Sequence, residues 1–525
     1  MDDLVISGPA HVLVEILEFL RSDLMVLRRG LTIRPDKCCI FMPNQGVPDG
    51  LRVQYDIPAD IQLVTMDGGV TALGVPLGSD DYVERFMTDI AASVKQLGDE
   101  LEALEHGQLE LLLHTYSGGL NRVMYLFRCL PSESLGTVSR VCNEESARLL
   151  QRLTAPASSV TDAMTAQAHL PRRYGGLGLA DVQHVGNAAF IAATLAALPQ
   201  DGNASVTLAR NLEFTTALTL YNKLVNPKDR ASCDSLSSLK PAERTQKALV
   251  KRVHDHQFDL LASNMTQQDL ARLKEQTSCG ASSWLQPTFV SGNPVISANV
   301  FPLLVVRYLG GEFQARAPLP CPRRGVPQHK DRVPCQALVD SKLSHVTNSC
   351  KALLTERHKT LASALQRICN EAGRATSTEV QCIPGSLSVP ADVYIYINAP
   401  NTKPIAVDVA VVSPAGDSWS AKPGQAVGSE EERKLRNFAE DLKNAQSGQG
   451  SAKSADSPVD FVPFVISSYG LLGQKARAFI SFLASGLCAR WIWSIREAQE
   501  YIRRVVLASV FAFMGRQMLT TLNGA

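Results

Sequence analysis

At 525 residues and 56.9 kDa the chain is too long for one hydrophobic core, so roughly two to four domains are expected. Its 45% hydrophobic and 20% charged content excludes a disordered chain, and a net charge of +1 excludes a global basic footprint, so any nucleic-acid site must be local. The 12 cysteines, spread from Cys38 to Cys488 with neither the dense spacing of a secreted framework nor a signal peptide before them, predict a reduced intracellular chain.

The opening LVIS is short and β-branched. Leu13, Ile16, Leu17, Leu20, Leu24 and Leu27 then recur at helical spacing up to Gly30, which predicts a strand followed by a helix. TIRPDKCCIFM and IQLVTMDGGVTALGVPL carry the Gly and Pro punctuation of strands and turns, so residues 1–80 read as a small α+β unit. Residues 81–200 are helical, with YVERFMTDIAASVKQLGDELEAL the longest periodic segment and PRRYGGLGL the main interruption. A second helical stretch, 201–316, includes QDLARLKEQTSCGASSWL. It gives way at 317–335 to a Pro-, Arg- and Cys-rich segment, the composition of a linker or a metal-stabilised knuckle.

Helical spacing returns in Leu353, Leu354, Leu361, Leu365 and Ile368, which closes the 317–375 segment with a helix. DVYIYI and PIAVDVAVV predict strands separated by the turn-like NAPNTK, SGQGSAKSADS predicts a polar loop, and FVPFVISSYG a buried strand before terminal helices. Residues 376–525 thus read as a separate α/β unit. The apolar runs 479–495, interrupted by Arg490, and 505–515 fall short of a membrane span and are expected to be core helices. The fold class expected for the whole is multidomain α+β.

Two constellations carry chemistry. Cys321, Cys335, His345 and Cys350 are spaced C-x13-C-x9-H-x4-C, and four such ligands can close a tetrahedral Zn2+ site in a segment poor in apolar residues. Asp392 and Asp408, 16 residues apart, lie in strands whose apolar company makes an unpaired carboxylate costly. Two such carboxylates and a lysine are what a PD…(D/E)xK nuclease uses to hold Mg2+ and activate water. Ala410 stands where that motif places its lysine, and Lys434, three residues from Glu431 on one helix face, is the expected substitute. Arg122, Arg128, Arg172 and Arg173 are candidates for phosphate contacts, the alternative being a solvated helix surface. Arg323, Arg324, Lys330 and Arg332 set positive charge beside the knuckle.

The order of these segments resembles non-LTR retrotransposon reverse transcriptases of the restriction-like-endonuclease type. The likeness is carried by MDDLVIS, GLTIRPDKC and LGVPLG, then by LLLHTYSGGLNRVMYLFRCLP and QAHLPRRYGGLGLADVQHVGNAAFIAA, then by ASSWL with FPLLVVRYLG, CQALVDSKLSHVTNSC and FVPFVISSYGLLG. It implies a palm remnant over 1–80, a helical thumb over 81–200, a helical connector over 201–316, a zinc-knuckle-like segment over 317–375 and a PD-(D/E)xK endonuclease-like domain over 376–525. It also implies that Asp2 and Asp3 are metal-binding carboxylates of the polymerase hairpin, Lys37 the lysine of the segment after it, and Leu73 and Gly74 the primer grip. The remaining catalytic aspartate and the fingers would lie upstream, so this chain alone is expected not to polymerise.

The implied cofactors are Mg2+ and Zn2+. The implied partners are target DNA and the element's RNA, and the implied location is the nucleus. Val333 stands where the family has its first knuckle cysteine, so either Cys321 replaces that ligand or the site is metal-free. Arg357 and His358 match an Arg-His pair that follows the knuckle, with His358 read as a structural residue. The function expected is DNA nicking that exposes a 3′ hydroxyl to prime reverse transcription. The alternatives are a non-catalytic nucleic-acid-binding protein and a decayed, inactive element product.

Overall fold

The computed structural model describes residues 6–21, 38–42, 50–54, 57, 59, 61–198, 204–290, 293–314, 319–321, 327–328, 333–335, 337–383, 391–397, 402–414, 424–447 and 459–523. It is a mixed α+β, multidomain architecture, mostly helical, with a small C-terminal sheet. Near the N-terminus lie the helix Ala10–Arg21 and a parallel strand pair, Cys39–Met42 with Gln62–Thr65. Val70–Ala72 and Val75–Leu77 then form a hairpin. Its tip is Leu73–Gly74, with φ +50° and +79°, the backbone of a two-residue type I′ turn. Glycine adopts that conformation freely and leucine rarely does, yet Leu73 is held there 66% exposed.

The helical bundle begins with Asp80–Glu102, whose Met87, Ala91, Val94 and Leu101 return to one face every three or four residues and are buried. That face packs on Gly136–Leu153. The expected division at residue 200 is not a division between cores. Val182–Ala197 straddles two, giving Val182, Val185 and Ala189 to the first bundle and Ile191 and Leu195 to the second, where they meet Phe214, Leu249 and Val253.

The C-terminal unit begins with α1 (Lys351–Glu371) and continues through β1 (Thr376–Val380), β2 (Ala391–Ile395), β3 (Ile405–Val412), α2 (Gln425–Ser447), β4 (Asp460–Ser467), α3 (Gln474–Arg490) and α4 (Ile495–Asn523). The sheet order is β1-β2-β3-β4, antiparallel except for the parallel β3/β4 pair, which α2 connects. Alternation assigns the two faces of the sheet. Val407, Val409, Phe464 and Ile466 join the core formed with α1, α3 and α4, while Ala406 and Phe461 pack with Phe438 of α2. Helices therefore cover both faces, as an apolar sheet requires.

The sequence reading set residues 376–525 apart as an α/β unit; in the structure its core is continuous with residues before it. Trp284 stacks on Phe511 of α4 (centroids 4.7 Å apart, planes 8° apart), and the helix Phe301–Leu309 is buried along its whole length. One continuous core thus joins Trp284, the helix Phe301–Leu309, the Cys/His segment and the sheet. The 29-residue α4 also outgrows the eleven-residue apolar run at 505–515. It is long and apolar enough to cross a membrane, but 67% of its apolar window is buried inside the fold.

Candidate functional site

Asp392 and Asp408 come together on β2 and β3. The register pairs Val393 with Val407, and one further step along it sets the two aspartates opposite each other. Asp392 accepts hydrogen bonds from the Val409 amide at Oδ2 (2.7 Å) and from His358 of α1 at Oδ1 (2.9 Å). Lys434, buried on α2, places Nζ 2.5 Å from Asp408 Oδ1. Asp408 and Ala410 share one strand face, so a lysine from the covering helix reaches the position that Ala410 cannot fill.

The electrostatics of the two carboxyls diverge. Burial and the neighbouring Asp392 push Asp408 up to about 6, against the pull of Lys434. Burial works to raise Asp392 as well, but the His358 hydrogen bond and charge, the Val409 amide and the Asp408 carboxyl hold it below the usual carboxylate range. Burial first, and the facing carboxylate second, thus let Asp408 hold its proton to higher pH than an ordinary carboxyl.

Glu431 has a different partner from the one its spacing beside Lys434 suggests. Its carboxylate accepts from the amides of Gln474 (3.2 Å) and Lys475 (2.9 Å), the first residues of α3. An anion at a helix N-terminus satisfies donors that have no intrahelical acceptor. A Cβ at Gly473 would collide with Glu431 Oε1, which explains the glycine before that helix. His358, read from sequence as structural, is the site residue that sequence reasoning missed. The only signal for it was the Arg-His pair itself.

The second cluster is the one anticipated from spacing. One ligand atom from each of Cys321, Cys335, His345 and Cys350 lies within 4.8 Å of the others, so the group could hold a metal ion such as zinc. Cys321 Sγ is 3.6 Å from Cys350 Sγ, and Cys335 Sγ is 3.2 Å from His345 Nε2. A tetrahedral zinc thiolate site with bonds of about 2.3 Å has a sulfur–sulfur edge of about 3.8 Å, close to the first of these.

Short backbone pairings achieve this convergence. Pro327–Gln328 pairs with Val333–Pro334, and Leu319–Pro320 with Leu338–Val339, which brings Cys321 and Cys335 near each other. The wide π turn His345–Ser349, closed by Cys350 N donating to His345 O (2.8 Å), brings in the other two ligands. Burial lowers the pKa of His345, against the pull of Asp340, and so favours the neutral, metal-binding imidazole. Cys321 thus stands with Cys335, His345 and Cys350 as a potential ligand.

The two clusters are mechanically joined. Arg357, buried on α1, donates to the carbonyls of Thr347 in the π turn and of Val411 on β3 (3.2 Å). Its neighbour His358 holds Asp392. Arg307 donates to Ser468 O (3.0 Å) just beyond β4 and reaches Asn348 Oδ1 at 3.4 Å.

Among the described residues no ion pair gathers Arg122, Arg128, Arg172 and Arg173. Arg122 donates to Ser93 Oγ (2.7 Å), Arg128 to Gln246 Oε1 (2.9 Å) and Arg172 to Thr115 Oγ1 (3.4 Å), while Arg173 lies 5.1 Å from the Tyr174 ring centroid. Arg122 and Arg128 are exposed, whereas burial lowers the pKa of Arg172. Asp2, Asp3, Lys37, Arg323, Arg324, Lys330 and Arg332 lie outside the described residues, as does Pro390. No family model and no curated protein matches the chain.

Proposed function

We propose that the C-terminal unit is a divalent-metal-dependent DNA endonuclease within a non-LTR retrotransposon reverse transcriptase, and that it nicks target DNA to expose a priming 3′ hydroxyl. The observation that carries this reading is the opposed pair Asp392–Asp408 with Lys434 Nζ 2.5 Å from Asp408. Two carboxylates supply the hard oxygen donors that Mg2+ takes, and both keep part of their side chains open to solvent. Held there, the cation would polarise the scissile phosphate and lower the pKa of an attacking water.

The chain's own residues supply the rest. Lys434 fixes a positive charge beside Asp408, where it can orient that water and counter charge building on phosphate oxygens. His358 and the Val409 amide hold Asp392 in place. Hydrolysis joins the water oxygen to phosphorus and breaks the bond to the 3′ oxygen, which leaves as the hydroxyl. In the same reading zinc occupies the Cys321–Cys335–His345–Cys350 cluster, whose sulfur donors suit it better than Mg2+.

Nicking of supercoiled plasmid in Mg2+ or Mn2+ tests the reading. Wild type is expected to nick, Asp392→Ala and Asp408→Ala to lose at least about a hundredfold in rate, and Lys434→Ala somewhat less. Nicking indifferent to both aspartates would overturn the site. Nucleic-acid binding without any nicking would favour the non-catalytic alternative.

A further inference from the structure

The turn between α3 and α4 holds its largest side chains out in water. Trp491 is 53% exposed, Ile492 fully so and Trp493 36%. Indole rings usually repay burial with more contact area than almost any other side chain, so two of them left outside in one short turn need a reason. The turn is not loose. Trp491 N donates to Leu487 O (2.8 Å), Trp493 N to Trp491 O (2.8 Å), and Ser494 and Glu497 cap α4 reciprocally, with Ser494 N donating to Glu497 Oε2 (2.8 Å) and Glu497 N to Ser494 Oγ (3.3 Å).

The rings also support one another. Trp491 and Trp493 stack with centroids 5.7 Å apart and planes 24° apart, and Trp493 packs on Tyr501 at 5.1 Å. Tyr501 is anchored in turn by donating to Glu371 Oε2 (2.8 Å). The result is a pre-ordered aromatic row with one exposed end.

Beside that end is an open cavity of about 510 Å³, whose wall includes Trp491, Arg490, Arg367, Asn370 and the carboxylate-bearing Glu371. Its volume is within the range of small-ligand sites. Arg367 Nε pairs with Glu371 Oε1 at 3.6 Å, and its side chain stays one-third exposed in the cavity wall. A phosphate entering the cavity would meet this guanidinium and that of Arg490. Arg490 donates to the carbonyls of Asn370 (3.2 Å) and Glu371 (3.0 Å), and the exposed Arg496 follows in the next turn. The nearby acids are already engaged, Glu371 by Tyr501 and Arg367, and Glu497 by the cap.

We propose that this turn and cavity bind single-stranded nucleic acid, with an unpaired base stacking on Trp491 and a phosphate seated on Arg367. Duplex DNA offers no free base face to an indole, so the site selects strands that are already open. A lipid surface would use the exposed Trp and Ile but has no need of an adjoining cavity lined by two guanidinium groups. The site is separate from the Asp392–Asp408 pair and does not depend on cleavage there.

The test is fluorescence anisotropy of the full chain with labelled oligothymidine of about 12 nucleotides, in EDTA so that no cleavage occurs. Trp491→Ala is expected to weaken binding roughly tenfold, and Trp491→Phe to retain most of it. Arg367→Gln should lower the salt dependence by about one released counterion. An oligonucleotide without bases should bind wild type and Trp491→Ala alike. Equal oligothymidine affinity in wild type, Trp491→Ala and Arg367→Gln would overturn the proposal. So would unchanged oligothymidine binding together with loss, in Trp491→Ala, of sedimentation with phosphatidylcholine–phosphatidylserine vesicles, a result that assigns the turn to a lipid surface.

Discussion

The Cys/His cluster and the carboxylate pair sit on one core but are built in opposite ways. Asp392 and Asp408 are positioned by a four-stranded sheet with helices on both faces, so the fold fixes the donors before any ion arrives. Cys321, Cys335, His345 and Cys350 are drawn from two-residue strands and a π turn, elements too short to hold themselves together. In the first case the fold organises the site. In the second an ion would organise the fold.

Melting behaviour should separate the two. Cys350→Ser, or stripping with a strong chelator, is expected to remove one zinc per chain and lower the melting temperature by on the order of 5 °C or more, read by metal analysis and calorimetry. If the purified chain carries no zinc, the Cys/His cluster is the metal-free form that the sequence reading also allowed. Asp392→Ala should cost less. It strips an acceptor from the Val409 amide and from His358, worth about 1–3 kcal/mol, and should lower the melting temperature by on the order of 2 °C with zinc content unchanged.

Asp408→Asn should act in the other direction, and only in part of the pH range. Because the folded-state pKa of Asp408 is raised to about 6 from 3.8, its contribution to stability is full below about 3.8 and lost as pH rises through about 6. In EDTA the variant should therefore melt above wild type at pH 7.5 and level with it near pH 4. A variant that melts below wild type at pH 7.5 would mean that Lys434, not burial, governs this carboxyl.

The contrast between the two clusters also explains what could be read from sequence. Asp392 and Asp408 stood out because a carboxylate amid Val and Ile in a strand has few structural excuses, and Lys434 followed from the gap at Ala410. His358 could not be found in that way. Its contact with Asp392 spans 34 residues and depends on how α1 crosses the sheet, which no local pattern encodes. Glu431 shows the converse limit, since helical spacing set it beside Lys434 while the packing of α3 turned its carboxylate to another helix. The spacing of the cysteines named the ligands, but the hairpin that brings Cys321 to Cys335 rests on pairings only two residues long. Domain limits were the least legible feature. Trp284 and the helix Phe301–Leu309 have the composition of any buried segment, and only tertiary structure reveals that they complete the core under the sheet.

Titration of Mn2+ into zinc-loaded protein, followed by electron paramagnetic resonance, separates a site the fold has prepared for an ion from one that an ion must build. One bound Mn2+ per chain is expected in wild type, lost in Asp392→Asn and in Asp408→Asn, with zinc content unchanged in both. Absence of bound Mn2+ in the wild type, or binding that survives both changes, would contradict a carboxylate pair poised for a divalent cation.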